Sequence, residues 1–389
     1  MMPTEYGKDS KVDNLGLGLV GAGAFGEFCL DAYNRMEEID VVAVADINLE
    51  RAEAIAPPMT RCYRRYEELL ADPNVDIVAI NTPPNLHAGI AIEAANLGKH
   101  IFIEKPLAIS LDEAVEVAKC AHNAGVKISI NYVLRYHPLH QLVFQLTHNR
   151  VLGAFQHWSL NNYATDDNLN PGHWFWDQSI SGGIHIEHGV HFFDLCNQIV
   201  KKPPTQVSSF SQKRVDGHID RVCASVLYGN EVLATFYHAF NQIERIEQTT
   251  ICLKCTHGQM EIIGWIPTKL RLHGLVDDGG LTELQACFGE KLNIVDRFED
   301  TAIPYHHGSI SERLIASVSA VVKVPDRQAE YQRAIQAGMR DLLFAIHQDR
   351  SPEVTIEDGI ASLAIAIAAV DSARTGKIVR PTLEEIYTK

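Results

Sequence analysis

Leu15-Gly-Leu-Gly-Leu-Val-Gly-Ala-Gly-Ala-Phe-Gly26 decides the fold of this chain. Residues 15–20 read as a buried strand, and a helix is expected over Gly26–Met36. Between them stands Gly21-x-Gly-x-x-Gly26. The first glycine permits a tight turn, the second lets backbone approach a pyrophosphate, and the third lets helix pack closely on strand. The helix N-terminus, from Ala24 and Phe25 onward, offers free N–H groups and a partial positive charge to phosphates. Asp46 closes the apolar strand Val41-Val-Ala-Val-Ala45, twenty positions after Gly26. A carboxylate there accepts hydrogen bonds from ribose hydroxyls and repels a 2′-phosphate. Neither Ile47 nor Asn48 offers a phosphate ligand, and Arg51 reads as a helix-surface charge. The expected cofactor is therefore NAD.

Outward from this stretch, Asp76–Ile80, His100–Ile103 and Val126–Asn131 read as further strands. Helices are expected around Glu67–Leu70, over Leu86–Leu97, and over Leu111–Asn123, where a capping box Ser110-Leu-Asp-Glu113 starts the helix and Gly125 stops it. His100–Ile103 is the fourth strand on this reading. Such alternation implies a doubly wound parallel sheet covered on both faces. After Pro138 the pattern changes. One helix, Leu139–Thr147, precedes strand-like runs at Phe155–Tyr163, Val207–Lys213, Val222–Tyr228, Glu231–Phe240, Thr249–Cys255 and Gly258–Ile263, which predict a mostly antiparallel second sheet. Three helices are expected from about Ser309, the last over Ile356–Arg374, belonging to the second domain or returning to the first. The fold class is α/β: a tail at 1–14, a dinucleotide-binding Rossmann domain at 15–137, and an α+β domain for substrate binding and oligomerisation at 138–389.

A length of 389 residues suits two domains. The net charge of −15 disfavours nucleic acid and anionic membranes as partners. Residues 1–14 have no apolar signal core, and Ile360–Val370 is too short to span a bilayer, so the expected location is the cytoplasm. Only Cys252 and Cys255 among the eight cysteines show metal-like spacing, and in a strand positions three apart face opposite sides. Reduced thiols are expected.

Glu104-Lys105-Pro106 follows the strand His100–Ile103, so Lys105 stands at the carboxyl end of a parallel strand, where the nicotinamide should lie. If residues 186–198 are helical, Glu187 and His191 share a face at i and i+4, with Asp194 one turn on. Ile184, Ile186, Val190, Phe192 and Phe193 argue against an exposed surface pair. His188 and His191 have metal-like spacing, but Gly189 weakens the helix that would hold such ligands, and no metal is expected. In His173-Trp174-Phe175-Trp176-Asp177, the aromatics either stack on a sugar face, with Trp174 as the contact, or form an apolar plug that fixes a long loop. Tyr163 and the loop pair His306-His307 are lesser pocket candidates.

Taken in order, these motifs resemble the Gfo/Idh/MocA family of NAD(P)-dependent oxidoreductases from about Leu15 to Pro381. Its marks are Gly21–Gly26, Asn81-Thr-Pro-Pro-Asn-Leu-His87, Gly98-Lys-His-Ile-Phe-Ile-Glu-Lys-Pro106, Arg135-Tyr-His-Pro138, Gly182-Gly183 with Glu187-x-x-x-His191-x-x-Asp194, and Glu357-Asp-Gly with Ser372-Ala-Arg-Thr-Gly376. The resemblance implies that Asn81, Thr82, His87, Glu104 and Lys105 border the cofactor. It implies that Lys105 and His191 flank the reacting carbon; Arg135, Tyr163, Trp174, Glu187 and His188 are the further candidates for a carbohydrate-like substrate site. The family usually has Asp where Glu187 stands and Gly where Ile184 stands, and the longer carboxylate here displaces any substrate hydroxyl it binds. His191 suits the base that takes a hydroxyl proton, which predicts an oxidation limb at roughly pH 6–8. Lys105 suits the group that steadies the alkoxide. Glu187 either binds substrate hydroxyls or orients His191. The expected function is NAD-dependent hydride transfer between nicotinamide and a secondary alcohol or carbonyl of a sugar, polyol or related derivative, by a homodimer or homotetramer. The alternatives are a redox-neutral glycosidase or lyase, and a ligand-sensing regulator, which retention of Lys105 and His191 disfavours.

Overall fold

The computed structural model describes residues 14–298, 303–307 and 310–382. All but Asn14 of the tail at 1–14 lies outside them. The first sheet contains β1 (Leu15–Val20), β2 (Ile39–Ala45), β3 (Arg61–Tyr63), β4 (Ile77–Ile80), β5 (His100–Ile103) and β6 (Ile128–Ile130). Its order is β3-β2-β1-β4-β5-β6, parallel throughout. The order reverses between β1 and β4, and such a switch point opens a crevice at the carboxyl ends of the strands. All four residues of β4 are buried, as a strand covered on both faces requires.

Two elements were not legible beforehand. Asn48 caps a helix at Leu49–Ile55 by accepting from the Glu50 N–H, and the edge strand β3 follows it. At three residues, one of them an exposed arginine, β3 shows no periodicity. His100–Ile103 is consequently the fifth strand, not the fourth. The Ser110 cap and the left-handed Gly125 bound a helix at Leu111–Ala124, as expected.

The second sheet has nine strands in the order Leu292–Arg297, Ala316–Lys323, Lys269–Val276, Gly258–Ile263, Gln248–Cys255, Phe155–Thr165, Val232–Gln242, Ile219–Tyr228 and Gln206–Lys213. Neighbours are antiparallel except Phe155–Thr165 with Val232–Gln242. The expectation of three helices from Ser309 was wrong. Ile310–Leu314 and Ala316–Lys323 are strands, the latter with alternating burial, and two helices follow, Arg327–His347 and Ile356–Thr375. His306 and His307 belong to the strand Ile303–His307 rather than to a loop.

Those two helices return to the first sheet. Gln336 donates to the Ala32 carbonyl at 2.8 Å and Arg340 to Glu38 at 2.7 Å, which ties Arg327–His347 to the helix Ala24–Tyr33. Ile356–Thr375 packs on Leu111–Ala124, on Val190–Val200 and on the edge strand Gln206–Lys213. A single apolar cluster runs through both sheets. The outer face of the nine-stranded sheet mixes Ser159, Asn161, Thr250, Arg271 and Ser319 with Tyr163, Leu233 and Val321.

Candidate active site

The glycine turn is built as a phosphate cradle. Gly21 has φ +102°, and a Cβ on it would stand 2.5 Å from the Asn81 carbonyl oxygen. A Cβ on Gly26 would stand 2.0 Å from the Gly21 oxygen, so neither tolerates a side chain. Gly23 faces open space, with nothing within 4 Å of such a Cβ. These residues fit a dinucleotide. Asp46 accepts from the Ala22 N–H and the Asn48 N–H, both at 2.8 Å, and so buckles the glycine turn to the end of β2. A carboxylate has lone pairs left for a ribose. Arg51, read in the sequence as a helix-surface charge, lines the same groove together with Arg64 and Arg65. Arg64 and Arg65 arrive from the turn after β3, and the signal for them was an Arg-Arg pair just before a helix.

Asn81, Thr82 and Glu104 border the groove. His87 does not. It is buried, with Nδ1 2.6 Å from the Pro106 carbonyl oxygen and Nε2 2.8 Å from that of Thr82, and it clasps the two loops behind the cofactor surface. Burial lowers its pKa. Burial instead pushes the Glu104 carboxyl up to about 7, although Asn131 donates to it at 2.5 Å and Lys105 is adjacent. Phe25 and, from the helix Arg327–His347, Tyr331 add an aromatic wall, their centroids 6.1 Å apart.

Lys105, Glu187, His188 and His191 line this same cavity of about 890 Å³. The Lys105 ammonium donates to Glu187 Oε1 at 2.5 Å and to the Glu187 carbonyl oxygen at 2.9 Å. Gly182 and Gly183, at φ +75° and +88°, lead into a π-turn at His185–Gly189 before the α-helix Val190–Val200. The plain i,i+4 geometry expected for Glu187 and His191 is thus replaced by a wider turn, of the sort found at functional sites. Glu187 engages Lys105 and makes no hydrogen bond to His191. Burial alone would raise the Glu187 pKa, but Lys105 and His188 bring it below the ordinary value.

The His191 ring packs edge-on against Trp265 at 4.7 Å and Tyr132 at 6.0 Å. Its Nδ1 is sealed and has no partner among the described residues, while Nε2 is open to the cavity. Burial first, then Lys105, holds its pKa well below the imidazole value. That direction moves the limb expected at roughly pH 6–8 towards lower pH. His188 accepts from Asn162 at 3.2 Å, and burial lowers it to about 4. Trp174 lines the cavity and also packs against the separate apolar cluster of Phe175, Trp176, Ile184, Val222 and Phe240. Trp265 was missed: it is a lone aromatic in the turn after Gly258–Ile263.

Two expected substrate contacts lie elsewhere. The Arg135 guanidinium is buried between Asp194, through a bidentate pair with one N···O distance of 2.7 Å, and Asp358 at 3.0 Å. Burial would lower its pKa, but the two carboxylates raise it. No donor of Arg135 turns to the cavity, and Asp194 serves Arg135 rather than His191. Tyr163 is exposed on the outer sheet face against Tyr237, because alternation along Phe155–Thr165 sends it away from the cavity. No group of three metal-ligating side chains occurs among the described residues, and all eight cysteines are free, Cys252 and Cys255 on opposite sheet faces.

Residues 15–132 match the oxidoreductase family with the NAD-binding Rossmann fold, and residues 140–261 match the GFO/IDH/MocA C-terminal domain. The chain is 31% identical over 219 residues to the uncharacterized oxidoreductase ORF334 of Rhizobium meliloti, covering 56% of this chain and 65% of that protein's length. It is 24% identical over 352 residues to the scyllo-inositol 2-dehydrogenase (NAD(+)) of Bacillus subtilis, covering 90% of each. Levoglucosan dehydrogenase in complex with NADH and levoglucosan superposes with a TM-score of 0.77 at 20% identity, over 95% of this chain and 99% of that one. At that identity the likeness is one of fold. No helix among the described residues is long and apolar enough to cross a membrane.

Proposed function

The chain belongs to the GFO/IDH/MocA oxidoreductase family, and we propose that it transfers hydride between NAD and a secondary alcohol or carbonyl of a sugar or polyol. One observation carries this reading: Lys105, Glu187 and His191 border one cavity with the glycine turn and Asp46. NAD bound along the groove supplies the hydride acceptor. Lys105 holds the substrate oxygen and stabilises negative charge on it. Glu187 pairs with the ammonium and keeps it aimed. His191, neutral and with Nε2 open to the cavity, takes the hydroxyl proton. Trp174 and Trp265 wall the cavity with apolar faces suited to a sugar ring and exclude water from it. The names of the scyllo-inositol and levoglucosan relatives support a polyol or sugar substrate.

We further place the domain division near residue 137, the protein in the cytoplasm, and its assembly as a dimer or tetramer through the nine-stranded sheet. Sizing with light scattering tests the last, and a mass near 43 kDa at micromolar concentration would overturn it. The enzymatic test is a screen of scyllo-inositol, myo-inositol, levoglucosan and aryl glycosides with NAD, reading NADH and released aglycone together. NADH accumulation from a polyol or sugar is the expected result. Aglycone release without NADH would redirect the reading to redox-neutral elimination.

A further inference from the structure

Trp265 stands against the proposed base and carries a hydrogen-bond donor of its own. It lies in the turn between the strands Gly258–Ile263 and Lys269–Val276, two neighbours in the nine-stranded sheet. The turn is tightly fixed. Gly264 has φ +103°, its N–H donates to the Thr249 carbonyl oxygen at 2.8 Å, and the Thr268 N–H donates to that of Ile263 at 2.9 Å. A Cβ on Gly264 would stand 2.8 Å from the carbonyl oxygen of Ile266, which is itself buried. The sheet thus delivers Trp265 to a set place in the wall of the cavity that holds Lys105, Glu187 and His191.

The indole ring wedges between the two histidines of the site. Its centroid lies 4.7 Å from that of His191, 5.0 Å from that of His188 and 5.4 Å from that of Phe192. A histidine that acts as a base is commonly oriented by a hydrogen bond at its other nitrogen. His191 Nδ1 has no such partner among the described residues. Packing holds the ring instead. Tyr132, its hydroxyl 2.5 Å from Ser362 Oγ, stands 6.0 Å from the His191 ring, and Trp265 is closer.

The indole N–H makes no hydrogen bond among the described residues, and it is not one of the sealed polar atoms. Trp265 is half-buried and lines the cavity, so a bound molecule can supply the missing acceptor. An indole N–H only donates and does not titrate, so it selects for an acceptor oxygen at every pH. Lys105 and His191 both serve the reacting oxygen, which leaves this donor for a different one.

We propose that Trp265 determines specificity in this site: its N–H holds a second hydroxyl of the sugar or polyol while its ring positions His191 against the reacting one. The proposal rests on His191 acting as the base. A site built to donate to that second hydroxyl disfavours an analogue that lacks it.

Trp265→Phe keeps an aromatic wall and removes the N–H, whereas Trp265→Ala removes both. With the best polyol of the screen, Trp265→Phe should raise KM about tenfold and hold kcat within about threefold. Trp265→Ala should also lower kcat, by about tenfold to a hundredfold, because the base loses its support. NADH affinity should be unchanged in both. A wild-type KM in Trp265→Phe would overturn the proposal. A second readout needs no turnover. The chain has four tryptophans, so ¹⁵N-tryptophan-labelled protein gives four indole N–H signals, and Trp265→Phe identifies the one that belongs to Trp265. Titrating scyllo-inositol and levoglucosan into the NADH complex should move that signal with saturation. Movement without NAD reduction by any polyol would sink the hydride-transfer reading and keep the contact. An unmoved signal, with or without turnover, would overturn the contact. If Trp265→Ala fails to fold, the KM of Trp265→Phe and the indole signal decide the matter.

Discussion

Lys105 Nζ lies 2.5 Å from Glu187 Oε1 and 2.9 Å from the Glu187 carbonyl oxygen, so one ammonium holds both the side chain and the backbone of the π-turn. That contact joins the carboxyl end of β5 to the segment bearing His188 and His191. Glu187→Gln keeps a hydrogen-bond acceptor but leaves the partly buried ammonium without its ion-pair partner. Turnover should fall by about tenfold to a hundredfold, as expected when a charge partner that orients a catalytic group is lost. Steady-state rates, with circular dichroism to verify the fold, decide it. Wild-type turnover would remove Glu187 from the site.

Arg135 is expected to act on stability rather than on substrate. Arg135→Met leaves Asp194 buried and unpaired, and breaking such a pair costs about 3–5 kcal/mol. Urea unfolding should show that loss, while NADH affinity of the folded variant stays within a few-fold of the wild type. A normal midpoint together with a raised KM would restore Arg135 to the substrate site.

The first sheet was legible because β1, β2, β4 and β5 are apolar runs punctuated by glycine and helix caps. The edge strand β3 was not, and with it went Arg64 and Arg65, whose place beside Asp46 depends on pairing with β2 rather than on local pattern. Lys105 was legible from its strand end, whereas Glu187 and His191 were legible through the motif that carries the family resemblance. Their pairing was misjudged, since an ideal α-turn links Glu187 to His191 and only the π-turn turns Glu187 to Lys105. Arg135 and Tyr163 look like site residues in one dimension. Burial against Asp194 removes the first, and strand alternation removes the second.

Asp46 should favour NAD over NADP, and its substitution should act on both. Asp46→Ala removes the acceptor that holds Ala22 and Asn48, so NADH affinity should drop about tenfold. NADPH affinity should rise, because Arg64 and Arg65 remain beside the vacated position without an opposing carboxylate. Fluorescence titration of both nucleotides reads this. Equal affinities in the wild type would overturn the assignment of Asp46.

Glu104 should make stability pH-dependent. Its folded pKa of about 7 lies above the ordinary carboxyl value, so between roughly pH 4.5 and 7 the folded state binds the proton more tightly than the unfolded one. The stability this proton contributes is present at low pH and is lost as pH rises through about 7, by up to about 3 kcal/mol. Urea unfolding at pH 5.5 and pH 8 should show that fall in the wild type and a smaller one in Glu104→Gln. Equal falls in both would assign the dependence to other groups.

With His191 as the proposed base, His191→Ala should slow oxidation by on the order of 10²–10⁴ and leave NADH affinity nearly intact, because the ring lies apart from the glycine turn. The pH profile separates this histidine from Glu104. A base held well below 6.5 is already deprotonated at pH 6, so His191 contributes no limb between pH 6 and 8. Any inflection near pH 7 then belongs to Glu104, whose carboxyl titrates there beside Lys105, and it should vanish in Glu104→Gln. Rates of NADH formation from pH 5 to 9 in the wild type and both variants make the comparison. A limb near neutrality that survives Glu104→Gln and disappears with His191→Ala would show that the imidazole titrates at its ordinary value, with its burial offset by the bound substrate and cofactor.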